Sequence, residues 1–189
     1  MKLDESDFKP VQALVIFLCM AGFLGAQKRG QAAIPDITTA PLFVISWNLT
    51  ANYVQYDAKL KDGKFDPKAP VTAYWIMNQT DGHHQGLTLI ERHKGYGFSI
   101  HPGSKPDTYD MVVVSVKQKT LHIARSGDKF DVTLNIANCD TAHLTQARVQ
   151  AHWWHFIAVG DYVDLTGTDA QTGAVCHERV RQRLHESLE

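Results

Sequence analysis

The chain opens with an apolar run and then settles into a two-residue rhythm. Val11–Ala26 (VQALVIFLCMAGFLGA) has Gln12 as its only polar side chain. As a helix it would span about 24 Å, short of the roughly 30 Å of a bilayer core. That length suits a secretory signal, and Gly30-Gln31-Ala32 offers a small-x-small cleavage pattern. An uncleaved membrane anchor and a buried core helix are the alternatives, since Lys2 and Lys9 are offset by Asp4, Glu5 and Asp7. Residues 1–33 are therefore expected to form a signal peptide or anchor, 34–40 a linker, and 41–189 a single β domain.

From there the period is two. Val54, Tyr56, Ala58 and Leu60 alternate with Tyr53, Gln55, Asp57 and Lys59, and Phe130, Val132, Leu134 and Ile136 alternate with polar neighbours. Further strand-like runs lie at Leu42–Trp47, Val71–Met77, Leu87–Arg92, Tyr109–Val116, Leu121–Arg125, Arg148–Val159, Tyr162–Thr166 and Ala174–Val180. Turn pairs separate them: Asp62-Gly63, Asp81-Gly82, Pro102-Gly103, Ser126-Gly127, Gly160-Asp161 and Thr172-Gly173. No intervening stretch has the helical periodicity of a crossover. The pattern predicts an all-β fold, an antiparallel sandwich or barrel of roughly nine to ten strands. Val180, Leu184 and Leu188, spaced by four, predict a short C-terminal helix over Glu178–Glu189 with Arg179, Arg181 and Arg183 solvated.

Charge and composition narrow the function classes. With 19 Lys+Arg against 20 Asp+Glu in 189 residues, the chain lacks the basic footprint of a nucleic-acid binder. At 44% hydrophobic and 21% charged it is not a disordered chain. Its three cysteines are too few for a disulfide scaffold. Removal of the signal leaves Cys139 and Cys176, which read as one bridge in an oxidising compartment, or as two small buried side chains.

Assembled chemistry is scarce. Among ten histidines, His152-Trp153-Trp154-His155 is the densest cluster, but positions three apart on a strand point to opposite faces. His83-His84 diverge beside a turn. There is no CxxC, no HExxH and no calcium loop, so no metal and no cofactor are expected. Gly95-Tyr96-Gly97 lacks the third glycine and the helix of a nucleotide fingerprint; its glycines read as letting a sheet bend or Tyr96 lie across a strand. Asp161, Asp164 and Asp169 offer carboxylates without a defined pairing, and no G-x-S-x-G elbow exists. Adjacent aromatics are the surplus feature. Tyr74-Trp75 and Trp153-Trp154 send one ring to each face of a strand, so Tyr74, Trp75, Tyr96, His152 and Trp154 are the candidate binding residues, with core packing the competing role.

Several stretches in order carry a resemblance: Pro41–Asp57 (PLFVISWNLTANYVQYD), Pro70–Met77 (PVTAYWIM), Leu89–Ile100 (LIERHKGYGFSI) and Tyr162–Val180 (YVDLTGTDAQTGAVCHERV). Together they resemble the bacterial family called domain of unknown function 4833, over Pro41 to Val180. The resemblance implies a small, mostly β, exported envelope domain, and it brings no activity and no catalytic residues. Within the closing stretch, Cys176 stands where the resemblance leads one to expect an aromatic, which would make a Cys139–Cys176 bridge private to this chain.

The sequence reading is thus an exported domain, periplasmic or extracellular, that is non-catalytic and binds an unknown small ligand or an envelope partner. A membrane tether through Val11–Ala26 follows if that run is retained. The alternative is a small hydrolase-like enzyme whose His and Asp side chains are brought together by folding.

Overall fold

Alternating burial builds the first arm of the structure. β1 (Ile37–Ser46) and β2 (Tyr53–Lys61) pair antiparallel, from Ile37 opposite Lys61 to Ser46 opposite Tyr53, with a register shift between Pro41 and Phe43. On β2 the inward set Val54, Tyr56 and Ala58 is fully buried, as the period-two pattern requires. β3 (Lys64–Phe65) folds back on β2 through the Asp62-Gly63 turn, where both residues adopt positive φ. β4 (Val71–Ile76) pairs with β2 along the same edge as β3, opposite β1, and β5 (His84–Gly86) closes the arm.

The second arm is a meander. β6 (Phe98–Pro102), β7 (Thr108–Val113), β8 (Leu121–Ser126) and β9 (Lys129–Ile136) pair in sequence order. Gly127 in the β8–β9 turn takes the positive φ (63°) that a tight hairpin demands. β10 (Cys139–Trp154) joins the arms: its first residues pair with β9, while Ala147 and Arg148 run parallel to Ile45 and Ser46 of β1. Its other edge carries β11 (Ile157–Asp169), followed by β12 (Val175–Arg181).

The computed structural model describes residues 37–46, 51–154 and 157–181, all within the unit Pro35–Glu189. The apolar run Val11–Ala26 lies outside the described residues. So does any helix beyond Arg181. Among the described residues no helix is long and apolar enough to cross a membrane.

The all-β expectation holds at the level of class, and its details are corrected. The described strands form one mixed sheet of twelve, in place of a closed barrel or a purely antiparallel sandwich of nine to ten. The parallel β1–β10 pairing leaves no trace in side-chain period, because alternation is identical for either strand direction. Branching at β10 sets the inward faces of the arms against each other. Phe65 of β3 meets Tyr109 of β7 edge-on at 4.9 Å and Phe130 of β9 at 5.2 Å, and Tyr56 of β2 meets Phe98 of β6 at 6.1 Å. Of these rings Tyr56 and Phe65 are buried and the others partly so; full burial of a side chain of this size contributes roughly 1.5–3 kcal/mol.

Four local readings also change. Ile37–Ala40, expected as linker, are strand residues of β1. Arg148–Val159 divides between β10 and β11, and Gly160-Asp161 lies within β11 opposite a register shift, not at a turn. Glu178–Arg181, expected to begin the terminal helix, complete β12, because the β11 ladder from Tyr162 to Thr168 gives their backbone groups partners that an isolated helix end would lack. Leu87–Arg92 is not a strand. Thr88 and Glu91 form a reciprocal capping box that starts a helical turn, α1 (Leu89–Glu91), and a wider turn follows at Arg92–Tyr96.

Candidate functional site

The helical turn and the wide turn after it stand between the arms and shape the site. Glu91 does three things at once. Its Oε2 accepts from the Thr88 amide (2.7 Å) and the Thr88 hydroxyl (2.8 Å), and its Oε1 accepts from the Trp75 indole N–H (3.0 Å). The capping box is thereby pinned to β4. The wide turn closes with the Gly97 amide donating to the Arg92 carbonyl at 3.0 Å. A Cβ on residue 97 would collide with that same carbonyl oxygen, so the turn requires glycine there for close approach. Tyr96, at the end of the turn, packs edge-on against Trp75 at 5.1 Å, and its carbonyl accepts from the Tyr56 hydroxyl at 2.7 Å. Burial raises the Tyr56 hydroxyl well above the usual tyrosine range, and Tyr96 is raised by burial and then by the nearby Glu91. Both remain neutral, Tyr56 as a donor and Tyr96 as a packing group.

Beside this turn a groove of about 760 Å³ opens between β4 and the β6–β7 pair, a volume within the usual range of small-ligand sites. Val71, Ala73, Leu87 and Phe98 supply its apolar walls, while Arg92 and Lys117 bring cationic groups to it and His93 an imidazole. The three basic side chains are exposed, and no carboxylate lines the groove among the described residues. Arg92 Nε donates to the Leu87 carbonyl at 3.2 Å, and the His93 Nδ1 lies 2.7 Å from the Leu89 carbonyl. That contact makes Nδ1 the protonated nitrogen and leaves Nε2 for another partner.

The structure brings only part of the expected set together. Trp75 and Tyr96 meet as the support beneath the groove's turn, not as its lining. Tyr74 projects from the opposite face of β4. Its hydroxyl donates to Asp57 Oδ2 at 2.5 Å, its ring stacks on His84 at 4.6 Å, and burial together with the Asp57 carboxylate pushes its pKa above the usual tyrosine range. Asp57 is nearly inaccessible and also accepts from Gln55 at 2.9 Å. His152 and Trp154 fall on β10, where only the backbone is described. The lining residues Arg92, His93 and Lys117 went unnoticed in the sequence because the fold alone gathers them. The Thr88-x-x-Glu91 capping signature was the one available signal for their turn.

The other candidate groups have structural partners. Cys139 and Cys176 are joined in a disulfide, with Cα atoms 6.3 Å apart. Asp169 completes, with the two sulfurs, the only three-residue ligand-type cluster among the described residues. Sulfurs bonded to each other are not thiolate ligands, so the cluster is a covalent staple. Asp164 receives Arg179 in bidentate fashion at 2.7 and 3.0 Å, and that guanidinium lies 3.8 Å over the Tyr162 ring. Burial opposes ionisation of Glu178, but Lys119 at 2.7 Å and the Ala137 amide at 2.5 Å outweigh it and hold the carboxyl below its usual range. Ala137 is one of the few non-glycine residues at positive φ (43°), and this bond fixes the β9–β10 turn around it. His83 pairs with Asp81 and His122 with Asp110, so these imidazoles act as local turn and strand partners.

The segments that carry the family resemblance therefore meet in two places. Tyr56, Trp75, Glu91, Tyr96 and Phe98 build the groove's turn and its support, while Tyr162, Asp164, Glu178 and Arg179 lock β12 onto the sheet. No curated protein and no solved structure matches the chain. The model of one family, described as a domain of unknown function (DUF4833), matches residues 43–179, and the chain belongs to that family.

Proposed function

We propose that this protein is an exported, non-catalytic binding domain of the bacterial envelope, and that the groove beside Arg92–Tyr96 is its ligand site. The observation that carries this reading is the lining: apolar walls with Arg92, His93 and Lys117 and, among the described residues, no carboxylate. Such a lining favours a ligand, or an exposed group of an envelope partner, that combines an anion with an apolar body. Against the hydrolase alternative, no carboxylate lines the groove among the described residues to pair with its imidazole. Export is supported by the apolar run Val11–Ala26 and by the disulfide, since such bonds persist in oxidising compartments.

Native mass spectrometry of protein recovered from the envelope tests both parts. The reading expects a chain beginning after Ala32, or the full chain in the membrane fraction, carrying a bound organic anion. Arg92→Glu and Lys117→Glu should each abolish the bound mass while leaving thermal melting unchanged. Retention of the same ligand by both variants would remove the groove as its site. Recovery of full-length protein from the cytosol would remove export.

A further inference from the structure

We infer that the α1 turn docks on an anionic lipid surface, with Leu89 and Ile90 entering the headgroup boundary and the basic residues after them contacting lipid phosphates. Leu89 and Ile90 are adjacent and are 74% and 71% exposed. A single exposed apolar side chain is ordinary, but these two occupy the tip of a turn whose shape is fixed from below. The Thr88–Glu91 capping box and the Glu91–Trp75 bond hold it rigidly on β4. The pair is therefore presented at little ordering cost.

Charge selects the occupant. Glu91 is the only acid of the turn, and its carboxylate is bent inward onto Thr88 and Trp75. What remains outward is Arg92, His93 and Lys94, all exposed, with Lys117 across the adjoining groove. An apolar tip flanked by cations and stripped of surface acid is the composition of an interfacial membrane contact. A basic residue at an anionic bilayer raises partition about fivefold. A neutral protein patch would not make use of that charge. The inference does not depend on the groove's ligand, and it holds whether or not Val11–Ala26 stays attached.

The test uses the full chain carrying Cys19→Ser and Ile90→Cys, labelled at residue 90 with an environment-sensitive fluorophore; Cys139 and Cys176 are bonded to each other and do not react. A second chain carries the label at Ser104, on the turn after β6. Each is reconstituted with vesicles of phosphatidylcholine alone or mixed with phosphatidylglycerol, so that any membrane segment is engaged in both. Docking predicts a blue shift at residue 90 in the mixed vesicles only and none at residue 104. Added salt should reverse the shift, and Lys94→Ala should lower the docked-to-undocked ratio about fivefold. Equal emission at residue 90 in the two vesicle types overturns the inference. An equal shift at residue 104 overturns it as general adsorption. A shift without vesicles that grows with protein concentration assigns the tip to a second copy of the chain instead.

Discussion

Breaking the Cys139–Cys176 disulfide gives the most quantitative handle on this fold. The two cysteines are 37 residues apart in sequence, and the closed loop contains all of β10 and β11. Loop-closure entropy for that separation corresponds to about 4 kcal/mol of stability, acting through the unfolded chain. This is a large fraction of the roughly 5–15 kcal/mol that a domain of this kind possesses. At about 2–4 °C per kcal/mol for this size, reduction should lower Tm by about 8–16 °C. The native state itself should persist at room temperature. β12 keeps its ladder to β11, the Asp164–Arg179 pair and the Glu178 bonds to Lys119 and Ala137. The assay is calorimetry of the oxidised protein, the protein with reductant, and Cys139→Ala/Cys176→Ala. Alanine is the appropriate replacement because Cys176 is buried, and serine would place a hydroxyl in the core. The double variant should melt close to the reduced protein and should ignore reductant. A shift below about 3 °C on reduction would falsify the loop-entropy account, and so would a double variant as stable as the oxidised protein.

Three further perturbations have defined outcomes. Gly97→Ala forces a Cβ onto the Arg92 carbonyl, so it should cost about 1–3 kcal/mol and shift the amide resonances of Arg92–Phe98, and unchanged melting would refute the crowding. Tyr56→Phe strands the Tyr96 carbonyl in the core; a loss of about 1–2 kcal/mol is expected by urea unfolding, with none expected from Tyr109→Phe, whose ring contact with Phe65 survives. Acid should destabilise the fold because several carboxyls ionise more readily when folded. Asp81 is held at about 2, chiefly by its contact with His83; Asp164 is lowered by Arg179, and Asp66 and Asp169 by backbone amides. Depressed folded values mean that this stability is present above the unfolded carboxyl range near 4 and is lost as pH falls through the folded values. Tm should therefore decline steadily from about pH 4.5 towards pH 2, and a flat profile over that interval contradicts the pairings.

How far the sequence disclosed this structure depended on the range of the interaction. The alternation of Val54, Tyr56, Ala58 and Leu60 displayed β2 directly, since strand geometry turns all four inward, the first three fully buried and Leu60 partly so. The Gly63, Gly127 and Gly173 turns were equally visible, because positive φ is a property of single residues. The Leu87–Arg92 segment misled for a local reason: Leu89 and Ile90 suggest a strand, but the capping box Thr88–Glu91 supplies the backbone partners that decide the matter. The parallel contact of β1 with β10, the branching of the sheet and the groove were not legible. They depend on which strand edges meet, and the hydrophobic rhythm is the same for every choice. Trp75 and Tyr96 stood out by residue type, yet only the fold shows that they support the turn carrying Arg92 and His93. Lys117 reaches the same groove from the other arm without any signature.

The β1–β10 pairing also orders events during synthesis. Ile45 must wait for Ala147 before its second edge is covered, a delay on the order of 5–20 seconds at ordinary elongation rates. In that interval the β1–β2 hairpin can close, but the inward rings of Phe43 and Tyr56 have only each other. A nascent chain halted before β10 thus presents an open strand edge beside an uncovered aromatic surface. The β10 of a neighbouring copy could occupy that edge, so crowded polysomes would favour exchange of strands between molecules unless a holding factor shields the hairpin.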